Sequence, residues 1–207
     1  MLPSVPIKMH VVTSLLMSLA TLTQAYNYPY DPLNLTCPPP DSGDTLTTPT
    51  NAPAPQVHIN ILSFLSYPLW NTFIPKIQLP SNVTSTPRDD YIPMPMIFTS
   101  TGIINGLNTT SNEILTIMSP SPSSTEEMTD ALYYLGAWRF DDGLGGIDAR
   151  AEHLNVVVNL GNGSSRYLSY ETYYEGLLTP AIALTKDKLQ KQFEKQGLDL
   201  KVYTEGM

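Results

Sequence analysis

An α+β fold with a mainly antiparallel sheet and two helices is what this sequence predicts, and three observations carry it. Residues 154–160 are rich in Val, residues 165–174 are rich in Tyr, and the residues joining them include Gly161-Asn162-Gly163. Asn-Gly between two such runs is the strongest short-range hairpin signal. Ser124 stands three residues before Glu127, and Thr179 precedes Pro180. The first is capping-box spacing and the second a cap followed by proline in the first turn, so each marks a helix start. The chain is 42 % hydrophobic and 14 % charged, a globular composition for a domain that stands on its core.

The elements follow in chain order. Residues 1–25 carry Lys8 in a short polar lead, an uncharged apolar run from Val11 to Leu22, and Thr23-Gln24-Ala25. That order is the grammar of a secretory signal peptide. The run is about a dozen residues, short of the ~20 that span a bilayer, so no membrane anchor is expected from it. Residues 26–56 are rich in Pro, Thr and Asn and read as an extended arm in which neither a helix nor a central strand is expected. A single α+β domain over 57–207 follows. Residues 57–61 alternate apolar and polar and read as a half-buried strand. Residues 94–99 and 114–118 read as two more strands. A helix over about 124–135 places Met128, Leu132 and Leu135 on one face, with Gly136 ending it and Trp138 just beyond. A second helix over about 180–196 presents Ile182, Leu189 and Phe193 and closes at Gly197. Residues 198–203 alternate as a last strand.

Charge and cysteine use narrow the function classes. The formal net charge is -8, from 11 Lys and Arg against 19 Asp and Glu. Binding a phosphate backbone needs clustered cations, so nucleic acid is excluded as a partner. Cys37 is the only cysteine and cannot form an internal disulfide. It is left either as an unpaired thiol or as a link to a second chain. Asn34, Asn82, Asn108 and Asn162 head N-x-[ST] sequons in stretches that read as loops, which favours a eukaryotic secreted glycoprotein.

The search for chemistry is mostly one of exclusion. No G-x-S-x-G elbow, H-E-x-x-H run or Cys/His array occurs, so neither a serine-hydrolase nor a zinc site is expected, and no cofactor is implied. From Asp141 the chain partly matches a calcium loop, with Gly146 sixth and Glu152 twelfth. Gly143 and Gly145 occupy ligand positions without a side-chain oxygen, so the stretch reads as a glycine loop rather than a metal site. His58 and His153 are the histidines available to any imidazole mechanism once the signal is removed. Tyr167, Tyr170, Tyr173 and Tyr174 crowd one strand, where alternation sets Tyr167 and Tyr173 on one face and Tyr170 and Tyr174 on the other.

Two functional expectations follow. The first is a non-enzymatic secreted glycoprotein that binds an extracellular protein or glycan through exposed aromatics, with no deep pocket. The alternative is a small-molecule binder or cofactor-independent enzyme with a pocket between sheet and helices. Its lining would draw on His58, His153, Asp141, Tyr167, Tyr170 and Tyr173, and it requires a closed cavity with a histidine inside.

Overall fold

The computed structural model describes residues 46–84, 94–104, 107–122, 124, 128–129, 131–142, 149–174 and 176–207. The signal peptide, most of the arm, Asn34, Cys37, Glu126-Glu127 and the glycine loop 143–148 lie outside them. Seven strands form one antiparallel sheet: β1 (Leu46–Thr50), β2 (Lys76–Gln78), β3 (Pro95–Ile104), β4 (Leu107–Ser119), β5 (Tyr133–Asp142), β6 (Ala149–Gly161) and β7 (Ser164–Tyr174). Their order across the sheet is β1-β7-β6-β5-β4-β3-β2. Among the described residues the sheet is accompanied by the helices α1 (Ala54–Leu62), α2 (Tyr67–Trp70), α3 (Thr179–Ala183) and α4 (Lys186–Glu205). Both α1 and α4 pack on the inner face of the sheet.

The β6–β7 hairpin forms as its sequence dictates. Asn162 and Gly163 both take positive φ, 50° and 80°, the backbone that a two-residue Asn-Gly turn needs. Register then alternates the side chains, and Val157, Asn155, His153 and Ala151 of β6 face inward with Tyr167, Ser169, Glu171 and Tyr173 of β7. The tyrosine parity therefore holds: Tyr167 is buried inside, while Tyr174 is 41 % exposed on the outer face with Tyr170.

Five elements differ from the sequence reading. Residues 57–61 belong to helix α1, not to a strand. The alternation of Val57, Ile59 and Ile61 coincides with the helical set Ala54, Val57, His58, Ile61 and Leu62, which are buried together with Asn60 while Ile59 is only half-buried. Pro55 lies in the first turn, where no intrahelical N–H is required, so the prolines open the helix instead of forbidding it. The end of the arm is thus ordered too, since Leu46–Thr50 is edge strand β1.

Of the helix expected over 124–135, Met128 and Thr129 are helical among the described residues, and Met128 N–H donates to the Ser124 carbonyl at 2.8 Å. Tyr133–Asp142 is instead strand β5, at the centre of the sheet. Both of its faces are apolar and buried, Tyr134 and Trp138 inside and Leu135 and Ala137 outside. A run without polar alternation hides period two, and the helical spacing of Met128, Leu132 and Leu135 filled the gap. Finally, residues 198–203 continue α4 to Glu205. Leu200 and Thr204 are buried at helical spacing after Leu189, Phe193, Gln196 and Gly197, whereas Leu198 and Val202 face solvent. The chain breaks between Ala183 and Lys186, so the helix read over 180–196 is two, α3 and α4.

Asn82 and Asn162 sit in turns and are exposed. Asn108 is also exposed but lies in strand β4 and not in a loop.

Candidate functional site

A cavity of about 360 Å³ opens between the inner face of the sheet and the α3–α4 region. Strand β3 contributes Phe98 and Ser100, β4 contributes Ser111 and Glu113, and β5 contributes Trp138 and Phe140. His153 enters from β6, and Glu171 and Tyr173 from β7. Ala181, Ile182, Leu189 and Phe193 close it from the helices, and Phe73 and Ile74 from the segment before β2.

Register explains why these residues meet. Trp138 stands opposite His153, and His153 opposite Glu171, which makes one row across three strands. The next row runs Glu113, Phe140, Ala151 and Tyr173. Phe73 and Ile74 are held by a local turn in which their backbone N–H groups donate to Asn71 Oδ1 at 3.0 and 2.7 Å. Thr101 N–H then donates to the Phe73 carbonyl at 2.9 Å. On the far side, α4 runs against the β3 irregularity at Gly102, whose φ is +78°; a side chain there would run into Gln192. The end of the Gln192 side chain can move aside, so it is the positive φ that favours glycine at this point.

The polar groups inside differ in what they can do. His153 is 4 % exposed, shares a 2.8 Å hydrogen bond between Nε2 and Ser169 Oγ, and stacks on Trp138 at 5.0 Å. Phe193 meets its ring edge-on, also at 5.0 Å. Burial pushes its pKa down to about 4, so at neutral pH it is an uncharged wall of the cavity and a weak base. Glu171 behaves oppositely. Burial raises its carboxyl to about 7, although Tyr173 Oη donates to Oε2 at 2.5 Å and opposes that rise. The Tyr173 hydroxyl is itself pushed well above 10, first by burial and then by the Glu171 charge. Glu113, 7 % exposed, accepts a 2.7 Å bond from the Ser111 hydroxyl.

The sequence-derived candidates therefore divide. His153 and Tyr173 line the cavity. His58 is 1 % exposed on α1 with Nε2 at 3.3 Å from the Pro120 carbonyl and its ring 5.4 Å from Tyr134, and it takes no part in the lining. Its pKa is also held down to about 4, mainly by burial. Tyr167 is sealed in the core, donating to Asn155 Oδ1 at 2.6 Å. Tyr170 is on the outer face. Asp141 belongs to β5 opposite Arg150, and its side chain lies outside the described residues. Glu171 and Glu113 are lining residues that the sequence does not single out, although parity sets Glu171 on the same face as Tyr167 and Tyr173, the face that the structure turns inward. Among the described residues, no group of three or more His, Cys, Asp or Glu is placed to hold a metal ion. No described helix is long and apolar enough to cross a membrane.

No protein-family model matches the chain, and no curated protein sequence matches it either. Solved structures do. A hypothetical protein from Helicobacter pylori superposes with a TM-score of 0.59 at 14 % identity, over 86 % of this chain and 96 % of that one. The fold is START-like, a helix-grip sheet closed by its C-terminal helix. A START superfamily protein from Mycobacterium smegmatis aligns with a TM-score of 0.52 at 13 % identity, over 78 % of this chain and 96 % of that one. The Zhui aromatase/cyclase from Streptomyces gives 0.56 at 10 % identity, over 78 % and 92 %. At these identities the likeness is one of fold.

Proposed function

We propose that this START-like chain binds an apolar small molecule in the cavity between its sheet and α3–α4. One observation carries the reading: a 360 Å³ cavity walled mostly by aromatic and aliphatic side chains, with a few polar groups converging in it. That is the usual constitution of a ligand pocket, whose volumes run from about 300 to 1,000 Å³. A histidine stands inside it, as the small-molecule alternative requires, although the cavity is partly open rather than closed, and its presence favours that alternative over exposed aromatics without a deep pocket. The aromatase/cyclase likeness is compatible with it. Delivery outside the cell is part of the same proposal, supported by the order of residues 1–25 and by the exposure of Asn82, Asn108 and Asn162.

Titration with Nile red, a neutral apolar dye, tests the binding. Saturable one-to-one uptake is expected. Ser100→Phe, which fills the cavity from β3, is expected to weaken it about tenfold or more, some 1.4 kcal/mol. Uptake that never saturates, or is unchanged in Ser100→Phe, would sink the reading. Mass spectrometry of chain recovered from a secretory host tests the address, with a new N-terminus near Tyr26 and sugars on the sequons expected. An intact Met1 with bare asparagines would overturn it.

A second reading, cofactor-independent acid–base catalysis, is favoured by one group. Glu171 is held at about 7, near the value that suits a general base at neutral pH. Exchange of acidic C–H protons of a bound ketone into deuterated water, lost in Glu171→Gln, would support it.

A further inference from the structure

We propose that the ligand this cavity takes is an apolar molecule carrying a protonated amine, seated on the Glu171 carboxylate beside the rings of Trp138, Phe140 and Tyr173. The inference rests on the small-molecule reading above and adds the ligand's chemical class.

Charge is the first argument. Among the described residues that line the cavity there are two carboxylates, Glu113 and Glu171, and neither Lys nor Arg. An anionic ligand would meet like charge in a poorly hydrated space, where repulsion is several times stronger than in water. A cation would meet attraction instead. The groups facing Glu171 confirm the sign. Tyr173 on its own strand is a neutral hydroxyl, and His153 opposite on β6 is uncharged at neutral pH. Glu113 reaches the same region from β4, where its charge acts on Tyr173. From the helices come Ala181, Ile182, Leu189 and Phe193, none of which titrates.

Hydrogen bonding is the second argument. Glu171 receives one donor from the described residues, the Tyr173 hydroxyl on Oε2. An ionised carboxylate has room for about four such bonds, so it retains acceptor capacity toward the cavity. An ammonium group supplies three donors and the charge that burial withholds. Aromatic faces within reach of the cation add cation–π attraction. Seating the amine also expels the proton that burial retains on Glu171 near neutral pH, so affinity should climb from pH 6 to 8 while the amine stays charged.

A matched set of naphthalene compounds tests the class by displacement of Nile red: 2-(2-naphthyl)ethylamine, the corresponding alcohol, and 2-naphthylacetate. The amine is expected to compete about tenfold better than the alcohol and better still than the acetate. Glu171→Gln, which keeps the side-chain shape and an acceptor for Tyr173, should still take up Nile red but lose the amine's advantage. Calorimetry of the unsubstituted chain in two buffers at pH 7 should show release of about half a proton with the amine. Wild-type chain that takes up no Nile red defeats the binding reading itself. Dye uptake with the acetate or alcohol equal to the amine, or a preference that survives Glu171→Gln, defeats the amine class alone. If Glu171→Gln does not fold, calorimetry decides, and binding without proton release overturns the proposal.

Discussion

The two halves of the sheet's inner face share strands and differ in what fills them. Toward β1 the space is occupied solidly. Val57, Ile61, Leu62 and Phe64, from α1 and the turn after it, pack with Tyr67, Tyr134 and Tyr167. Gly136 brings the Leu62 side chain close to the sheet, 3.4 Å from where a Cβ would stand. Toward the α3–α4 end Ser100, Ser111, Glu113 and Glu171 stand among Phe98, Trp138, Phe140 and Tyr173, and the space above them stays open. The buried histidines mark the two halves. His58 is locked against Pro120 and Tyr134, whereas His153 forms a wall of the cavity. Short and polar side chains set among the rings leave room and acceptors there, whereas large apolar ones fill the packed half. A single sheet thus carries both a core and a binding space.

That contrast can be broken at several points, the largest effect first. Phe64 is fully buried with edge contacts to Phe98 and Trp138, so Phe64→Ala should cost about 3–5 kcal/mol in urea denaturation. Phe140→Ala, at the cavity wall, should cost less than about half of that. Equal losses would mean that the two halves are equally packed.

Acid should act through both histidines. Each folded imidazole is held at about 4 against 6.5 unfolded, so the unfolded chain binds more protons between those values. Stability is then full above pH 6.5 and drains as pH falls toward 4, by about 3 kcal/mol per histidine. Replacing His153 by Gln should remove about half of that acid slope in denaturation curves taken across the window.

Glu171 has the opposite sign. Its carboxyl is raised from 4.5 to about 7, so the folded chain holds a proton the unfolded chain has lost. It costs the fold nothing below pH 4.5 and an increasing amount as pH rises through 7. Glu171→Gln should therefore stabilise the chain at pH 8 by about 1–3 kcal/mol and leave it unchanged at pH 4. A loss of stability at pH 8 would show that the carboxylate is compensated. The smallest effect belongs to Tyr167→Phe in the packed half, where loss of the 2.6 Å bond to Asn155 should cost about 1–2 kcal/mol.

Legibility followed how local each determinant was. The β6–β7 hairpin was readable because an Asn-Gly turn and alternating side chains are properties of neighbouring residues. Parity alone put Tyr167 and Tyr173 on one face and Tyr170 and Tyr174 on the other, and the tertiary structure turned the first pair inward. Strand β5 was not readable, because burial on both faces erased the polar alternation that marks a strand. Helix α1 was misread because five residues of Val, Ile, His and Asn fit periods of two and of 3.6 equally well, and only the inner face of the sheet selected between them. The C-terminal part of α4 failed for the same reason at Leu198, Leu200 and Val202. Of the candidate site, His153 and Tyr173 were named from sequence, while Glu171 was passed over although its parity with them was visible.

By itself, then, the sequence determined the class of fold, the hairpin, the tyrosine faces and the lack of clustered cations, since each rests on spacing or composition within a short stretch. Only the tertiary structure decided that Glu113, Trp138, His153 and Glu171 share one cavity. Those residues come from four strands, and their meeting depends on register between segments far apart in the chain and on α3 and α4 closing over the space.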